Sequence, residues 1–257
     1  MTYRAKPADG VAWVTGASAG IGRACALELA RRGFEVVASA RRADDLAVLA
    51  REAEGLSGSI LAAPCDVTDR AAVAALAASI EARRPIALAL LNAGGAQRDA
   101  RGDFGGPGFR ATFELNVQGV ANCVNPVFNA MRERRCGQIA IVGSLSSYGG
   151  LPNAYAYAPS KAAIASLAVG LRFLADPEGV TVQLVNPGYV RTPLTADNKY
   201  PMPFLVEADD AARRIADGLQ SGGFEIRFPR RLAFVMRALS LLPYGAYFWV
   251  FRKMGMR

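Results

Sequence analysis

Two side chains in the middle of the chain have the types and the spacing needed for proton transfer. Tyr157 and Lys161 are four residues apart, so both project from the same side of a helix. A free phenol has a pKa of about 10 and is a poor acid or base near neutral pH. A neighbouring ammonium group favours the phenolate and lowers that pKa, so this pair predicts acid–base catalysis at an oxygen atom. An ordinary surface pair is the alternative.

Other common catalytic groups are excluded by composition. The chain contains no histidine, which rules out Ser–His–Asp hydrolysis and His-ligated zinc, and we predict no metal site. The cysteines form no C-x-x-C pair and stand in apolar stretches, which favours reduced thiols and a cytoplasmic location. The first ten residues contain no apolar segment typical of a signal peptide.

A glycine-rich turn near the N-terminus has the composition of a phosphate-binding site. Val11 to Thr15 is apolar or β-branched, as in a strand buried on both faces, and an amphipathic helix follows the turn. Between them, Gly16, Gly20 and Gly22 allow a sharp bend and close approach of a ligand to the backbone. The helix N-terminus offers free N–H groups and a positive dipole end, which suits a pyrophosphate. A plain strand–helix connection is the alternative.

The spacing T-G-x-x-x-G-x-G and the pattern Y-x-x-x-K resemble motifs of the short-chain dehydrogenase/reductase family. Further matching segments, LNAG, FELNVQG and PGYVRT, follow in the family's order between residues 11 and 193. The resemblance implies an α/β fold: one doubly wound Rossmann-type domain over residues 1–257, with a parallel sheet of about seven strands and helices on both faces. Residues 1–10 are then an N-terminal extension, and residues 230–257 lie outside the resemblance.

The resemblance also implies a catalytic set. The family's serine usually lies 13 residues before the tyrosine, which gives Ser144, with Ser146 as the second candidate. Asn116 matches an Asn that helps to hold a water between the lysine and solvent. Tyr157 would exchange a proton with the substrate oxygen, Ser144 would stabilise the charge on that oxygen, and Lys161 would also hold the nicotinamide ribose.

A dinucleotide site is implied along several strand ends. In the family, an Asp in the position of Asp66 hydrogen-bonds the adenine, although helix capping is nearly as good an explanation. Val190 and Thr192 are expected near the nicotinamide carboxamide and the diphosphate. The full set of implied contacts is Gly16, Ser18, Ala19, Gly20, Ile21, Gly22, Arg41, Arg42, Asp66, Val67, Asn92, Ala93, Gly94, Tyr157, Lys161, Pro187, Gly188, Val190 and Thr192.

The end of the second predicted strand favours NADP(H) over NAD(H). An acidic residue there would hold the ribose 2′-hydroxyl of NAD, whereas arginine accommodates the 2′-phosphate of NADP. The position is Ala40, and Arg41 follows as the main candidate for the phosphate. Ala19 departs from this pattern, because many NADP-using relatives have a basic residue there. Two arginines at the start of a solvated helix are the alternative. Candidate assistants are Ser18, Ser39 and Arg42.

The substrate side is less determined. Residues 96–108 form a polar, glycine-rich loop expected to be mobile and to rim the substrate mouth, and 194–206 lie where relatives place a lid. Met202, Phe204 and Leu205 in this lid favour an apolar substrate, or they pack internally.

The tail over 230–257 combines leucines, aromatics and basic residues. Arg237 and Pro243 argue against a membrane-spanning helix. A segment lying on a membrane surface is plausible. Docking over the substrate pocket or against a partner subunit is favoured.

Charge does not predict a nucleic-acid partner. The net charge of +8 comes almost wholly from arginine, and these residues occur along the whole chain without a nucleic-acid motif. Relatives usually form dimers or tetramers through their long helices, so a homodimer or homotetramer is expected. The expected function is NADP(H)-dependent interconversion of a ketone or aldehyde and its alcohol. A catalytically silent NADP(H)-binding scaffold or regulator, and a membrane-surface protein acting through its tail, are the alternatives.

Overall fold

A seven-stranded parallel sheet forms the centre of the protein, whose computed structural model describes residues 3–97, 104–196, 198 and 201–254. The strand order is β3-β2-β1-β4-β5-β6-β7, so the chain winds outward from β1 in one direction and from β4 in the other. This confirms the predicted doubly wound α/β fold. The strands are β1 Val11–Thr15, β2 Glu35–Ser39, β3 Ser59–Ala62, β4 Ile86–Leu91, β5 Gly137–Val142, β6 Val180–Pro187 and β7 Glu225–Phe228.

Helices cover both faces of this sheet. One face holds α1, α2 and α7, and the other holds α3, α5 and α6. Strands β1, β4, β5 and β6 are buried along their whole length, which explains why they read as continuous apolar runs. The helices are α1 Gly20–Arg31, α2 Ala43–Glu52, α3 Arg70–Arg83, α4 Pro107–Phe113, α5 Gly119–Glu133, α6 Tyr157–Ala175, α7 Ala208–Ser221, α8 Arg230–Ser240 and α9 Tyr244–Lys253.

Adjacent residues of a central strand serve opposite faces. Trp13 packs in the cluster beneath α3, α5 and α6, whereas Val14 packs in the cluster beneath α1 and α7. Both side chains are fully buried. This two-sided burial fixes the register of β1, and the register places the glycine turn at the carboxyl edge of the sheet.

Two helix boundaries next to the cleft are set by local backbone geometry. A π-helical turn, Glu114–Gln118, lies between α4 and α5. The helix that carries Tyr157, α6, begins at Tyr157 itself. Asn153, with φ of 60°, has a left-handed backbone conformation that an α-helix does not accommodate.

The C-terminal tail forms two short helices at the β7 edge of the sheet. Leu232 and Ala233 of α8 are buried against Leu145, and Pro243 separates α8 from α9. The two helices have 11 and 10 residues, and a helix needs about 20 residues to cross a bilayer. Among the described residues, one run has the length and composition to do so, Tyr157–Glu178. It includes α6, which packs on the sheet, and buried core helices commonly have this composition.

Candidate active site

A cleft of about 350 Å³ opens at the carboxyl ends of the central strands. Its walls come from the glycine turn after β1 and from the segments that follow β2, β3, β4, β5 and β6, as expected at the switch point of a doubly wound sheet. Every predicted cofactor contact lines this cleft except Gly22, and so do Ser144, Tyr157 and Lys161. Lining residues that sequence reasoning did not select are Ala40, Cys65, Leu115, Val142, Gly143, Pro193, Leu194 and Thr195.

The glycine turn has a backbone that side chains would disrupt. Gly16 and Gly20 have φ of 67° and 57°, in the left-handed region. A Cβ on Gly22 would lie 2.3 Å from the Gly16 carbonyl oxygen and 2.4 Å from Nδ2 of Asn92. Gly22 therefore allows α1 to pack closely against the turn, and it does not line the described cleft. Its contact with the cofactor stays a prediction.

Asn92 holds the two central strands together at this edge. Its backbone N–H donates to Oγ1 of Thr15 over 3.0 Å, and its Nδ2 donates to the Thr15 carbonyl over 3.1 Å. The N–H of Ala93 donates to the same hydroxyl over 3.1 Å. These bonds tie the end of β1 to the segment that follows β4 at the cleft.

The cleft fits a dinucleotide on two structural observations. No side chain caps the N-terminus of α1 at Ala19, so the first N–H groups of that helix remain available to an anion. A Cβ on Gly94 would lie 3.1 Å from both Oδ1 of Asn116 and Nζ of Lys161. Glycine thus leaves an open surface beside the lysine where a ribose can lie.

Lys161 is a buried cation. The residue is only 4% exposed, and its Nζ donates to the Val142 carbonyl over 2.9 Å. Nζ also lies 5.7 Å from the centre of the Tyr157 ring. In the part of the chain that the structure describes, no carboxylate pairs with this ammonium. Burial lowers its pKa from 10.5 to about 8. A perturbed buried cation in a cleft is typical of a functional site.

Ser144 is held in place by the loop that it begins. Its Oγ accepts from the N–H of Ser146 over 3.1 Å, and its own N–H donates to Oδ1 of Asn186 over 3.0 Å. Ser144 lines the cleft together with Tyr157 and Lys161, whereas Ser146 does not. The Ser146 hydroxyl is buried without a hydrogen-bond partner among the described residues. The geometry therefore favours Ser144 over Ser146.

Glu225, a carboxylate that the sequence pattern did not indicate, is hydrogen-bonded to this loop and to β6. Glu225 of β7 accepts from Asn186 Nδ2 over 2.7 Å and from the Tyr148 hydroxyl over 2.5 Å. Burial opposes its ionisation, but hydrogen bonds from Tyr148, Asn186 and Arg227 outweigh burial and lower the pKa of Glu225. The loop from Ser144 to Tyr148 is thereby tied to the two strands beside it. No local pattern in the sequence indicates this, because the partners come from three separate segments.

Asn116 lies beside the cleft and not in its wall. Its Oδ1 accepts from the Gly95 N–H over 2.8 Å, and its Nδ2 donates to the Gly95 carbonyl and to Ser160 Oγ, each over 2.9 Å. The side chain therefore fixes the loop after β4 against α6. Asn116 lies in a π-helical turn, and such turns are frequent at functional sites. A role in holding water near Lys161 stays a prediction.

At the adenosine end, the two arginines differ. Both are exposed, but Arg42 forms an ion pair with Asp45, whereas Arg41 has no ion pair among the described residues. Ser39 faces the core, where its Oγ accepts from the Trp13 indole N–H over 2.8 Å. Ser39 is therefore unsuited to assist a phosphate, which corrects that expectation. Arg41 is the guanidinium left free for an anion.

Asp66 is not a helix cap. Its Oδ1 accepts from the N–H and the hydroxyl of Thr68 over 3.0 and 2.9 Å, which closes a tight turn. The capping residue of α3 is Asp69, which accepts from Ala71 and Ala72. Asp66 stands at the cleft wall with this turn fixed, and its contact with adenine stays a prediction.

Of the apolar side chains in the predicted lid, Met202, Phe204 and Leu205 do not line the described cleft, whereas Leu194 does. The segment starts and ends at a parallel bridge between Val190 and Val206, and its first residues, Leu194 and Thr195, reach the cleft wall. Phe204 is instead exposed, with φ of 59°. Like it, Met202 and Leu205 are absent from the described wall.

The expected rim loop is described only in part. Residues 98–103 of the predicted 96–108 segment lie outside the described residues. The ring of Phe104, just after this gap, lies 5.3 Å from the ring of Tyr155 in an edge-on arrangement. Phe104 thus contacts Tyr155, which lies two residues before the start of α6.

Comparison with known proteins gives a consistent result. The sequence profile of the short chain dehydrogenase family matches residues 10–202. An uncharacterized oxidoreductase of Myxococcus xanthus is 36% identical over 245 residues, covering 95% of this chain and 94% of the relative. A cis-4-hydroxycyclohexanecarboxylate dehydrogenase of Sinomonas cyclohexanicum is 35% identical, covering 80% of this chain and 82% of the relative. A solved short-chain dehydrogenase from Sphingobium yanoikuyae in complex with NADPH is 26% identical, with a TM-score of 0.79 over 89% of this chain and 91% of that one.

Proposed function

The chain belongs to the short-chain dehydrogenase/reductase family, and from this premise we propose that it interconverts a ketone or aldehyde and its alcohol with NADP(H). The observation that carries the proposal is the meeting of Ser144, Tyr157 and Lys161 in one cleft with the glycine turn. When bound, the dinucleotide supplies or accepts a hydride at its nicotinamide ring.

Three side chains divide the work on the substrate oxygen. Tyr157 donates its proton to that oxygen during reduction and accepts a proton from the alcohol during oxidation. Ser144 donates a hydrogen bond to the same oxygen, and its backbone tie to Asn186 fixes where that bond points. Lys161 holds positive charge next to the Tyr157 ring, which favours the phenolate. We expect its remaining N–H groups to bind ribose hydroxyls.

NADP(H) is proposed over NAD(H) because of Arg41. A guanidinium without an ion-pair partner among the described residues is suited to a 2′-phosphate, which it binds through two parallel hydrogen bonds. The Sphingobium short-chain dehydrogenase, solved in complex with NADPH, supports this preference by analogy.

The proposed substrate class is an apolar ketone or secondary alcohol. The relative from Sinomonas is a dehydrogenase of cis-4-hydroxycyclohexanecarboxylate, whose hydroxyl is carried by an apolar ring that also bears a carboxylate. In this chain the cleft wall includes the apolar residues Leu115, Val142 and Leu194. These side chains offer apolar surface to a ring or an alkyl chain.

We also propose a homo-oligomer with α6 in its interface. Three apolar side chains near the end of α6 face solvent in the single chain: Val169, Phe173 and Leu174, with Phe173 78% exposed. Exposed patches of this kind are typical of subunit contacts. Light scattering of Phe173→Glu should show a smaller particle than the unmodified protein, and an unchanged mass would contradict this interface. The compartment is proposed to be the cytoplasm.

The central test removes one hydroxyl. Tyr157→Phe should reduce turnover of a carbonyl substrate by about a hundredfold or more, since general acid–base catalysis contributes this much. NADPH affinity should remain. Substrates come from a library of apolar ketones and cyclic alcohols, followed by nicotinamide absorbance.

Tyr155→Phe is the matched control, because Tyr155 is two residues away and does not line the described cleft. It should retain turnover. Turnover retained by Tyr157→Phe would refute the assigned proton donor. Tight NADPH binding without hydride transfer across the library would instead support the silent scaffold.

A further inference from the structure

The positive charge of the protein is concentrated at its C-terminus. Of the 30 basic residues, seven lie beyond residue 225, and none of the 22 acidic residues does. The first 225 residues therefore carry 23 basic and 22 acidic side chains and are close to neutral. Nearly all of the +8 belongs to the segment with α8 and α9. The basic residues of this segment are Arg227, Arg230, Arg231, Arg237, Arg252, Lys253 and Arg257.

The same segment exposes large apolar side chains. Phe234 on α8 is 76% exposed, and Tyr244 and Trp249 on α9 are 82% and 58% exposed. We define the C-terminal hairpin as α8, α9 and the turn between them. Its exposed apolar side chains are Phe234, Val235, Leu241, Leu242, Tyr244, Phe248, Trp249 and Met254. Several large apolar side chains exposed on neighbouring segments are typical of an interaction surface.

Basic and apolar residues alternate along the same rows of the hairpin. On α8, Arg230, Phe234 and Leu241 recur at helical spacing, whereas the guanidinium of Arg237 lies 5.5 Å from the centre of the Tyr148 ring and faces the protein. On α9, Trp249 and Lys253 are one turn apart, with Nζ 6.0 Å from the indole centre. Long basic side chains can keep their charge at the headgroup level while neighbouring rings enter the apolar layer.

The hairpin is fixed to the protein by its opposite side. Leu232 and Ala233 pack on Leu145, and the Tyr247 hydroxyl donates to the Gly150 carbonyl over 2.6 Å. Phe251 is buried. These contacts use the inward faces of both helices, so the outward faces remain for a partner.

We propose that the C-terminal hairpin docks the protein onto the surface of an anionic lipid bilayer. Tyr and Trp are the residues enriched at membrane interfaces, and each basic residue near an anionic surface contributes favourable attraction. The hairpin supplies both without a single carboxylate. This inference rests on the hairpin surface and not on the proposed reaction.

Two other partners fit the surface less well. A twofold contact between two copies would bring the same patch against itself, and the five basic residues of each hairpin would repel those of the other without an acidic residue of the hairpin to neutralise them. A nucleic acid would leave the aliphatic side chains Leu241, Leu242 and Met254 without a suitable contact. An anionic bilayer accommodates the charges and the aliphatic groups together.

Vesicle flotation with the full chain tests the proposal. The protein should float with vesicles of phosphatidylcholine mixed with phosphatidylglycerol, and float much less with phosphatidylcholine alone. High salt should weaken binding, because the attraction is partly electrostatic. Arg252→Gln with Lys253→Gln should reduce the partition coefficient roughly 25-fold, at about fivefold for each charge.

Apolar contacts are tested by Phe234→Ser with Leu241→Ser and Trp249→Ser, which should reduce the partition coefficient at least tenfold. Leu61→Ser is the matched control, because Leu61 is 47% exposed on β3, at the opposite edge of the sheet. It should float like the unmodified protein. Thermal unfolding and NADPH binding check that each variant remains folded.

Three results would overturn the proposal. The first is absence of flotation with anionic vesicles by the folded protein. The second is equal binding by the triple variant and by Leu61→Ser. The third is a loss of self-association in the triple variant without any vesicle binding, which would assign the hairpin to a subunit contact.

Discussion

The cleft and the C-terminal hairpin break opposite rules of protein structure. In the cleft, the cationic residue Lys161 is only 4% exposed, whereas on the hairpin aromatic residues such as Tyr244, at 82%, are exposed. Folding alone favours neither arrangement, because charges are better solvated in water and rings are better buried. Each therefore indicates a partner: a small molecule that needs the charge in the first region, and an extended surface that covers the rings in the second.

The two regions also differ in how they are supported. The cleft is fixed by hydrogen bonds between separate strands, such as Asn92 to Thr15 and Asn186 to Glu225. The hairpin is attached through Leu232, Ala233, Phe251 and the hydroxyl of Tyr247. Substitutions in the cleft should therefore change turnover, whereas substitutions on the outer face of the hairpin should change only the binding of the protein to vesicles.

The largest expected effect tests this division directly. Lys161→Met should lower kcat/KM by about a thousandfold, since the phenol loses the cation that favours its ionised form. The triple hairpin variant Phe234→Ser, Leu241→Ser and Trp249→Ser should stay within about twofold of the unmodified protein, measured with a water-soluble carbonyl substrate. A similar loss of kcat/KM in both variants would show that the hairpin belongs to the substrate site, so that the two regions do not have separate roles.

The second effect measures the free-energy cost of the buried cation. The pKa of Lys161 falls from 10.5 to about 8 on burial. Between these values the unfolded chain binds more protons, so the free energy of unfolding contributed by this residue rises with pH. The gain across the window is about 3 kcal/mol, at about 1.4 kcal/mol for each pH unit. Lys161→Met lacks this gain.

Urea unfolding of both proteins at about pH 7 and about pH 10 measures the difference, because other groups titrate alike in the two chains. The methionine variant should be at least as stable as the unmodified protein at the lower pH. Parallel pH profiles would mean that the ammonium is not penalised by burial.

The third effect separates the two arginines at the adenosine end. Arg41→Ala should raise the Kd for NADPH about tenfold and leave that for NADH unchanged, because one charge-assisted contact to phosphate is lost. Arg42→Ala, whose guanidinium already pairs with Asp45, should change the NADPH Kd less. Isothermal titration provides both constants. An equal loss for NADPH and NADH would leave the 2′-phosphate without its proposed partner.

The smallest expected effect comes from removing a hydrogen bond between the hairpin and the loop that precedes α6. Tyr247→Phe removes the hydrogen bond to the Gly150 carbonyl, which is worth about 1 kcal/mol or less at an exposed site. The melting temperature should fall slightly, and kcat/KM and vesicle binding should remain within about twofold. A tenfold loss of activity would show that the hairpin positions the catalytic loop, so that the two regions are coupled.

Much of the cleft was predictable because its signals are local. The glycine turn, the spacing of Tyr157 and Lys161 and the arginine after β2 each depend on a few consecutive residues with a fixed backbone requirement. The hairpin was only half predictable. The sequence showed that Pro243 interrupts it, and its charge surplus was present in the sequence, although arginines along the whole chain concealed it. Which rings face solvent depends on packing against Leu145 and Gly150.

By itself, the sequence determined the order of strands and helices, the glycine turn and the spacing of Tyr157 and Lys161, because periodicity and glycine placement act over short distances. Only the tertiary structure decided that Ser39 faces Trp13, that Ser144 and not Ser146 reaches the cleft, and that Glu225 supports the loop between them. These outcomes depend on contacts between residues far apart in sequence. Such contacts exist only after the sheet has brought the strand ends to one edge.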